Sequence, residues 1–215
     1  MRFALCVFSW RLDNLFFHVT IYAACSCSSE QGTLLRVISG QCKGKRLFSV
    51  KGPNLRPTSD RVKEAIFDIL QDQIEGREVL DLFSGTGALG IEALSRGAGR
   101  AVFVEASPRC LAALRKNIEE CRLVDRAHVL AREVKAAIRI LEAKGESFQL
   151  IFLDPPYGKG LAHETLKHLA ASSIVNRHTL IVAEHAATDD ICSIPDLQRL
   201  DARKYGSTRV SFFSR

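Results

Sequence analysis

The most constraining feature of the sequence is the stretch of residues 79–94, which reads VLDLFSGTGALGIEAL. Its first five residues are mostly apolar and predict a buried strand of a parallel sheet. Gly85 and Gly87 permit a tight turn after this strand, and the pattern then becomes helical. Such a unit begins a βαβ fold, in which ligands bind beyond the carboxyl ends of the strands. Asp81 interrupts the apolar run, and because a buried carboxylate needs a partner, we expect it near the strand's end, facing a ligand.

Further apolar runs alternate with helical patterns along the rest of the chain. Strands are predicted at residues 101–104, 127–131, 149–153 and 180–183, and near 197–203 and 208–213. Helices are predicted after Ser107 and Pro108, and at residues 134–144 and 161–171. No helical pattern separates the last two strands, so we expect them to pair antiparallel. The sequence therefore predicts a doubly wound α/β core at residues 76–215, with a mostly parallel seven-stranded sheet and an antiparallel C-terminal strand.

Positive charge is concentrated in one segment of the chain. The net charge is +6, and within residues 34–64 eight basic residues face only Asp60 and Glu64, so the whole excess lies there. The basic residues are Arg36, Lys43, Lys45, Arg46, Lys51, Arg56, Arg61 and Lys63. Charge segregated in this way favours binding to a polyanion such as nucleic acid over a merely solvated face.

The same segment predicts a small structural unit, which we call the basic arm and assign to residues 34–75. Residues 34–39 and 47–50 are candidate partners in a short hairpin, and residues 59–71 form a candidate helix. The apolar face of this helix would carry Val62, Ala65, Ile66, Ile69 and Leu70. Arg61 and Lys63 lie away from the centre of that face.

Residues 1–33 have a different character from the rest. Their two apolar runs are shorter than the roughly 20 residues needed to span a bilayer, so we expect no membrane anchor. We interpret the segment as a disordered extension or as sequence upstream of the true start of translation, rather than as an export signal. The seven cysteines include no CxxC pair and no zinc-type spacing, which predicts a cytoplasmic protein with reduced thiols and no metal site.

The glycine-rich loop at residues 85–90 reads GTGALG and matches GxGxxG. Alone, this pattern equally suits a dinucleotide, and a tight turn without a ligand also requires glycine. Two observations favour a nucleoside that carries an amino acid. The loop has no basic residue to meet a phosphate, and Asp81 could hold a cationic amino group. Glu105 ends the second strand, where a ribose-binding acid would lie.

Asp154, Pro155, Pro156 and Tyr157 end the fourth predicted strand. The prolines fix the backbone and lack N–H donors, so the segment offers mainly acceptors, namely the Asp154 carboxylate and the Pro155 carbonyl. Two acceptors suit the two N–H groups of an exocyclic amine, and the tyrosine ring provides a surface on which a base can stack. A strand-ending turn with an incidental acid is the alternative, which the upstream glycine loop disfavours.

Three segments together, VLDLFSGTGALGIEALSRGA, VFVEAS and LDPPY, resemble class I S-adenosylmethionine-dependent methyltransferases that act on amino groups. The segments LRVISGQCKGKRL, LRPTSDRVKEAIFDIL and KYGSTRVSFF resemble, more narrowly, the bacterial small-subunit ribosomal RNA methyltransferase D family. That family methylates N2 of a guanine in 16S ribosomal RNA. The resemblance extends from about residue 34 to the C-terminus, and residues 1–33 have no counterpart.

The resemblance implies S-adenosylmethionine as cofactor and assigns roles to individual residues. The methionine part of the cofactor would be lined by Asp81, Ser84, Gly85, Thr86 and Gly87. Glu105 would hold the ribose, Ala106 and Ser107 would lie beside the adenine, and Glu133 is the best match for an acid near the adenine amine. Asp154, Pro155, Pro156 and Tyr157 would receive the target base. Arg36, Lys43, Lys45, Arg46, Arg56 and Arg61 would bind RNA, within an assembling 30S subunit.

Three other functions are compatible with parts of the pattern. An adenine-N6 methyltransferase of DNA or RNA would use the same Asp-Pro-Pro-Tyr segment, since that amine also needs two acceptors. An NAD-dependent oxidoreductase would use the GxGxxG loop. A non-catalytic RNA-binding assembly factor would need only the basic arm on a fold of this type.

Overall fold

In the computed structural model of the chain, the residues described are 11–12, 15–16, 35–50, 60–157, 160–189, 191 and 193–215. The chain divides into two compact units, Met1–Gln31 and Gly32–Arg215. In the first unit, Arg11–Leu12 pairs antiparallel with Leu15–Phe16. The interpretation of residues 1–33 otherwise falls outside the described residues, as does Arg56.

The second unit is built on one seven-stranded sheet. Its strands are β1 (Glu78–Leu82), β2 (Arg100–Glu105), β3 (Ala127–Ala131), β4 (Leu150–Leu153), β5 (Leu180–Ala186), β6 (Gln198–Tyr205) and β7 (Thr208–Ser214). They lie in the order β3-β2-β1-β4-β5-β7-β6. The first five pair in parallel, whereas β7 pairs antiparallel with both β5 and β6. The predicted doubly wound sheet with an antiparallel C-terminal strand is confirmed.

Among the described residues, five α-helices cover the two faces of the sheet. They are α1 (Asp60–Leu70), α2 (Ala88–Ser95), α3 (Pro108–Glu120), α4 (Val134–Ala143) and α5 (Leu161–Ala170). One apolar cluster joins α1, α2 and α3 to one face, and a second joins α4 and α5 to the other. Side chains alternate along β1, with Val79 in the first cluster and Leu80 and Leu82 in the second. Asp81 therefore points to the α2 side of the sheet.

The described part of the basic arm packs on the first cluster. Arg36 and Arg46 form an antiparallel bridge, as the predicted hairpin requires. Leu35, Val37, Cys42 and Leu47 are buried with the residues of α1, α2 and α3. The fully buried carboxylate of Glu92 on α2 accepts hydrogen bonds from the backbone N–H groups of Ile38, at 2.7 Å, and Ser39, at 2.9 Å. Arm and core thus share one hydrophobic core.

Lys63 does not behave as a charged residue away from the centre of an apolar helix face would be expected to. Its side chain is fully buried, as is Phe67, which extends the apolar face of α1 beyond the predicted set. The Nζ group donates to the Arg36 carbonyl and lies 3.6 Å from Glu92 Oε2 and 3.9 Å from Asp60 Oδ1. Helical periodicity could not reveal this, because the carboxylate that compensates the buried charge comes from another helix.

In the ranges that the structure describes, no helix is both long and apolar enough to cross a membrane. The same ranges contain no group of three or more His, Cys, Asp or Glu side chains arranged to hold a metal ion. Cys42, Cys110 and Cys121 are buried and free.

Candidate active site

Three loops meet at the carboxyl edge of the sheet because the strands that precede them are neighbours in register. Leu82 of β1 lies opposite Val104 of β2 on one side and opposite Leu153 of β4 on the other. The loops that follow are therefore adjacent, with strand spacings of about 4.8 Å. Ser84 N–H donates to the Val104 carbonyl at 3.0 Å, and Asp154 N–H makes a long 3.5 Å hydrogen bond to the Leu82 carbonyl. The glycine loop, the end of β2 and the Asp-Pro-Pro-Tyr segment are thus brought together.

The chain reverses sharply between β1 and α2 at residues 83–87, which include the start of the glycine loop. Phe83, Gly85 and Gly87 all have positive φ angles, of 58°, 54° and 86°. Gly87 N–H donates to the Ser84 carbonyl at 2.7 Å, which closes the turn. The positive φ angle favours glycine at position 87, and a Cβ atom there would also lie 2.4 Å from Leu114 Cδ1, so that side chain would have to move.

Glu105, the last residue of β2, holds two loops together through both oxygens of its carboxylate. Oε2 accepts from Gly85 N–H at 2.8 Å, while Oε1 accepts from Ala106 N–H at 2.9 Å and Ser107 N–H at 2.7 Å. Each carboxylate oxygen has two acceptor positions, so Oε1 is filled by these N–H groups and Oε2 keeps one position for a hydrogen bond from a ligand. The residue predicted to bind ribose therefore also organises the loops that would surround it.

Asp81 is almost completely buried, and its Oδ2 accepts the N–H of Gly90 at 2.9 Å. Burial raises the pKa of this carboxyl from 3.8 to about 7, and the charge of Glu105 acts in the same direction, whereas the Gly90 hydrogen bond opposes the rise. Gly90 permits this contact, since a Cβ atom there would lie 2.9 Å from Oδ2 and 2.3 Å from the Phe103 ring. A cation placed beside Asp81 would favour its ionised form.

The Asp-Pro-Pro-Tyr segment follows β4 directly. Pro155 is buried, Asp154 and Tyr157 are partly buried, and Pro156 is exposed. The Tyr157 hydroxyl donates to Glu184 Oε1 at 2.8 Å and lies 2.9 Å from Thr208 Oγ1. Burial, together with the nearby Glu184 charge, raises the pKa of Tyr157, so the hydroxyl keeps its proton and remains a donor.

Glu184 and Thr208 were missed by the sequence reasoning, although they fix the tyrosine. Both are buried, on β5 and β7 respectively. The fifth strand was predicted to end at Ala183, whereas β5 continues to Ala186 and includes the glutamate. A carboxylate inside the apolar run LIVAEHA is the same signal that singled out Asp81 and could have identified it.

Glu133 immediately precedes α4, just beyond the end of β3. Glu105 of β2 lies opposite Ala131 of β3, so Glu133 is at the same edge of the sheet as the other candidate residues. Its side chain is exposed and does not cap the helix. A contact with an adenine amine stays a prediction.

Comparison with known proteins identifies the family. Residues 35–214 match the family described as Conserved hypothetical protein 95. The chain belongs to this family. It is 34% identical over 182 residues to the putative rRNA methyltransferase YlbH of Bacillus subtilis, covering 84% of this chain and 99% of that protein. It is 35% identical over 162 residues to ribosomal RNA small subunit methyltransferase D of Escherichia coli K12, covering 75% and 79%.

Solved structures agree with this assignment. The putative methyltransferase yhhF from Escherichia coli is 31% identical, with a TM-score of 0.73 over 84% of this chain and 97% of that one. SMU.776, a putative methyltransferase complexed with SAH, shares the fold at 16% identity, with a TM-score of 0.61 and coverage of 79% and 58%. The chain is thus a member of a family of S-adenosylmethionine-dependent methyltransferases with the class I Rossmann-like fold, and the resemblance seen in the sequence is confirmed.

The basic arm of this family member presents a smaller cationic surface than its composition indicates. Arg36, Lys43, Arg46 and Arg61 are exposed, although Arg36 Nε lies 3.8 Å from an oxygen of Asp60. Lys45 is partly buried, and its Nζ donates to the Glu120 carbonyl at the end of α3. Buried Lys63 is removed from this surface altogether. Binding of RNA by these residues stays a prediction.

Proposed function

We propose that the chain transfers a methyl group from S-adenosylmethionine to the exocyclic N2 of a guanine in 16S ribosomal RNA. The observation that carries the proposal is the register of β1 and β4. The glycine loop and the Asp-Pro-Pro-Tyr segment leave neighbouring strands, and Asp154 N–H bonds back to the Leu82 carbonyl. A cofactor on one loop and an amine on the other would be close enough for direct transfer.

The donor set around the glycine loop fits S-adenosylmethionine. Residues 84–90 include no basic side chain for a phosphate, whereas buried Asp81 gains most from a cationic ammonium group. Asp81 and Ser84 to Gly87 would hold the methionine part. Glu105 would accept from the ribose hydroxyls, with Ala106, Ser107 and Glu133 around the adenine. The cofactor, when bound, supplies an electrophilic methyl group.

On the substrate side, the chain's own residues orient the amine. The Asp154 carboxylate and the Pro155 carbonyl would accept its two N–H groups, which leaves the nitrogen lone pair outside the base plane. Asp154 can also take the proton that the nitrogen must lose after methylation. Tyr157, whose hydroxyl is held by Glu184 and Thr208, presents a ring of fixed position for stacking. Such positioning can lower a barrier by about 7–11 kcal/mol.

The decisive experiment replaces Asp154. We expect Asp154→Ala to reduce methyl transfer to 16S ribosomal RNA by at least about 100-fold. The amine would lose both a hydrogen-bond acceptor and the carboxylate that takes its proton. Calorimetry should show that the variant still binds S-adenosylhomocysteine. The control is Asp125→Asn, which changes an exposed aspartate outside the candidate site. Transfer by Asp154→Ala at a rate near that of the wild type would refute the role of Asp154.

Nucleoside analysis tests the position of the methyl group. Ribosomal RNA from cells with and without this protein should differ in N2-methylguanosine. A difference in N6-methyladenosine instead would support the adenine alternative, since the two acceptors suit that amine as well. The name of the Escherichia coli relative, ribosomal RNA small subunit methyltransferase D, favours the 16S substrate. Assays with free 16S RNA and with 30S particles would separate the two forms of the substrate.

A thermal-shift comparison tests the two more distant alternatives. S-adenosylhomocysteine should stabilise the chain by mass action, and NAD should not. Stabilisation by NAD alone would favour an oxidoreductase. Stabilisation by neither, with RNA binding retained, would favour a non-catalytic assembly factor.

A further inference from the structure

Phe48, in the basic arm, exposes an aromatic ring to solvent. The residue is 42% exposed. Within the ranges described, the other exposed large apolar residues are Val124 and Leu200, which are aliphatic and lie outside the arm. Single exposed apolar residues are common in soluble proteins, so exposure alone carries no function. Two further observations distinguish this phenylalanine.

The first is that the backbone of Phe48 is fixed on both sides by one buried side chain. Asn117 of α3 is fully buried, and its Oδ1 accepts from Phe48 N–H at 2.7 Å. Its Nδ2 donates to the Phe48 carbonyl at 3.1 Å and to the Thr86 carbonyl at 2.9 Å. A single carboxamide therefore connects Phe48 to the glycine loop. An exposed ring on a backbone held this firmly is preorganised, and binding to it costs little ordering entropy.

The second observation is the charge around the ring. Lys116 Nζ lies 3.7 Å from the ring centroid, so a cation already occupies one face. Residues 35–50 contain four basic residues and no acidic one. Three of the four are exposed, namely Arg36, Lys43 and Arg46, although Arg36 lies 3.8 Å from Asp60. The opposing charges nearest in sequence on α3 are Glu119 and Glu120, one turn beyond Lys116. A ligand on the exposed part of the ring therefore meets an apolar surface in a positive environment.

An unpaired nucleobase combines the properties that this site requires. Its flat face stacks on an aromatic ring, and the phosphates beside it pair with cations. A protein partner would be expected to meet a contiguous apolar patch, whereas the residues next to Phe48 in sequence include exposed Arg46 and Ser49. We propose that Phe48 is a stacking platform for an unpaired RNA base, held beside the cofactor loop by Asn117. The proposal rests on the RNA substrate of the proposed function.

Binding of a labelled hairpin RNA from 16S ribosomal RNA, with an unpaired loop, tests the platform. Fluorescence anisotropy over a series of salt concentrations gives both Kd and the slope of log Kd against log salt. We expect Phe48→Ala to weaken binding by roughly tenfold or more, with an unchanged slope, because stacking releases no counterions. Phe48→Tyr should bind as the wild type does. Leu200→Ala is the matched control for loss of an exposed apolar side chain.

A fully paired duplex of the same length provides the second comparison. The Phe48→Ala variant should lose nothing on this duplex, because no base is free to stack. If Phe48→Ala fails to fold, Phe48→Leu keeps an apolar side chain and still removes the aromatic face. Wild-type affinity of these variants for the hairpin, or an equal loss on hairpin and duplex, would overturn the platform.

The failures of the two proposals are distinguishable. A wild-type chain that binds the hairpin and methylates ribosomal RNA, while Phe48→Ala retains full affinity, refutes the platform and leaves the proposed function standing. A wild-type chain that does not bind the hairpin and methylates neither free 16S RNA nor 30S particles refutes both. In the same assay, Lys116→Ala should reduce the slope of log Kd against log salt by about one unit or less. Such a reduction would identify Lys116 as a phosphate contact beside the ring.

Discussion

The buried carboxyl of Asp81 predicts that part of the stability of the ligand-free chain depends on pH. Its pKa is about 7 in the folded chain, against an ordinary value of 3.8, and the main cause is burial. Below pH 3.8 the group is protonated in both states and costs nothing. Between pH 3.8 and 7 it ionises only in the unfolded state, so stability falls as pH rises. Above about pH 7 the loss is complete, and it amounts to about 4 kcal/mol at 1.36 kcal/mol per pKa unit.

Asp81→Asn isolates this contribution because an amide oxygen can still accept the N–H of Gly90 but cannot ionise. From the two pKa values, linkage gives a loss for wild type of about 2.5 kcal/mol between pH 5 and pH 8. Urea denaturation of both proteins at the two pH values measures it. The difference in unfolding free energy, variant minus wild type, should become more positive by that amount at pH 8. Contributions from other titrating groups cancel in this difference.

A matched substitution at exposed Asp125, Asp125→Asn, should show no comparable dependence on pH. A difference between wild type and Asp81→Asn that stays constant from pH 5 to pH 8 would refute the argument that burial governs this carboxyl. The same group gives a second observable. If Asp81 pairs with the ammonium of the cofactor, binding of S-adenosylhomocysteine at pH 6 should release about one proton, measurable by calorimetry in buffers of different ionisation enthalpy.

Three further substitutions test the packing and hydrogen bonding around the site, each by urea denaturation. Gly90→Ala should destabilise the chain by about 1–3 kcal/mol, because its Cβ atom would overlap the Phe103 ring, and Phe103→Leu in the same chain should restore part of the loss. Lys63→Met should cost about 3 kcal/mol, because it leaves the buried Glu92 carboxylate without one of its cations; a change below 1 kcal/mol would contradict this. Tyr157→Phe should cost about 1–3 kcal/mol by removing a donor to a buried carboxylate, and full stability would contradict the hydrogen bond.

The elements of the sheet could be predicted because their signals are local. Apolar runs mark β1, β2 and β4, and the glycines of the 85–90 loop mark the turn that follows β1. The adjacency of the glycine loop and the Asp-Pro-Pro-Tyr segment follows from the strand order of a doubly wound sheet, which alternating strands and helices already indicate. The fold, and the edge of the sheet at which the candidate site lies, could therefore be predicted together from one sequence.

The parts that could not be predicted all depend on partners distant in sequence. Lys63 can be buried because its Nζ group donates to the Arg36 carbonyl and pairs with the Glu92 carboxylate. The helical periodicity of α1 contains no information on either partner. Asn117 appears in the sequence as an ordinary polar residue of α3, yet its carboxamide is used by the backbone of Phe48. Glu184 falls beyond the predicted end of its strand. In each case a polar side chain is buried because several elements together satisfy its hydrogen bonds.

Contacts with α2 and α3 hold the described part of the basic arm in a fixed position on the core. Glu92 accepts two arm N–H groups, and the Ser95 hydroxyl accepts the N–H of Cys42 and donates to Ser39. The same layer of helices begins at the glycine loop, whose Thr86 carbonyl is bonded to Asn117. A polyanion bound to the arm would therefore contact a segment whose backbone is hydrogen-bonded to buried side chains of α2 and α3. One of these side chains, Asn117, also bonds to the glycine loop. Because displacing the arm would leave these groups unpaired in the core, we expect the described part of the arm to stay packed on α2 and α3.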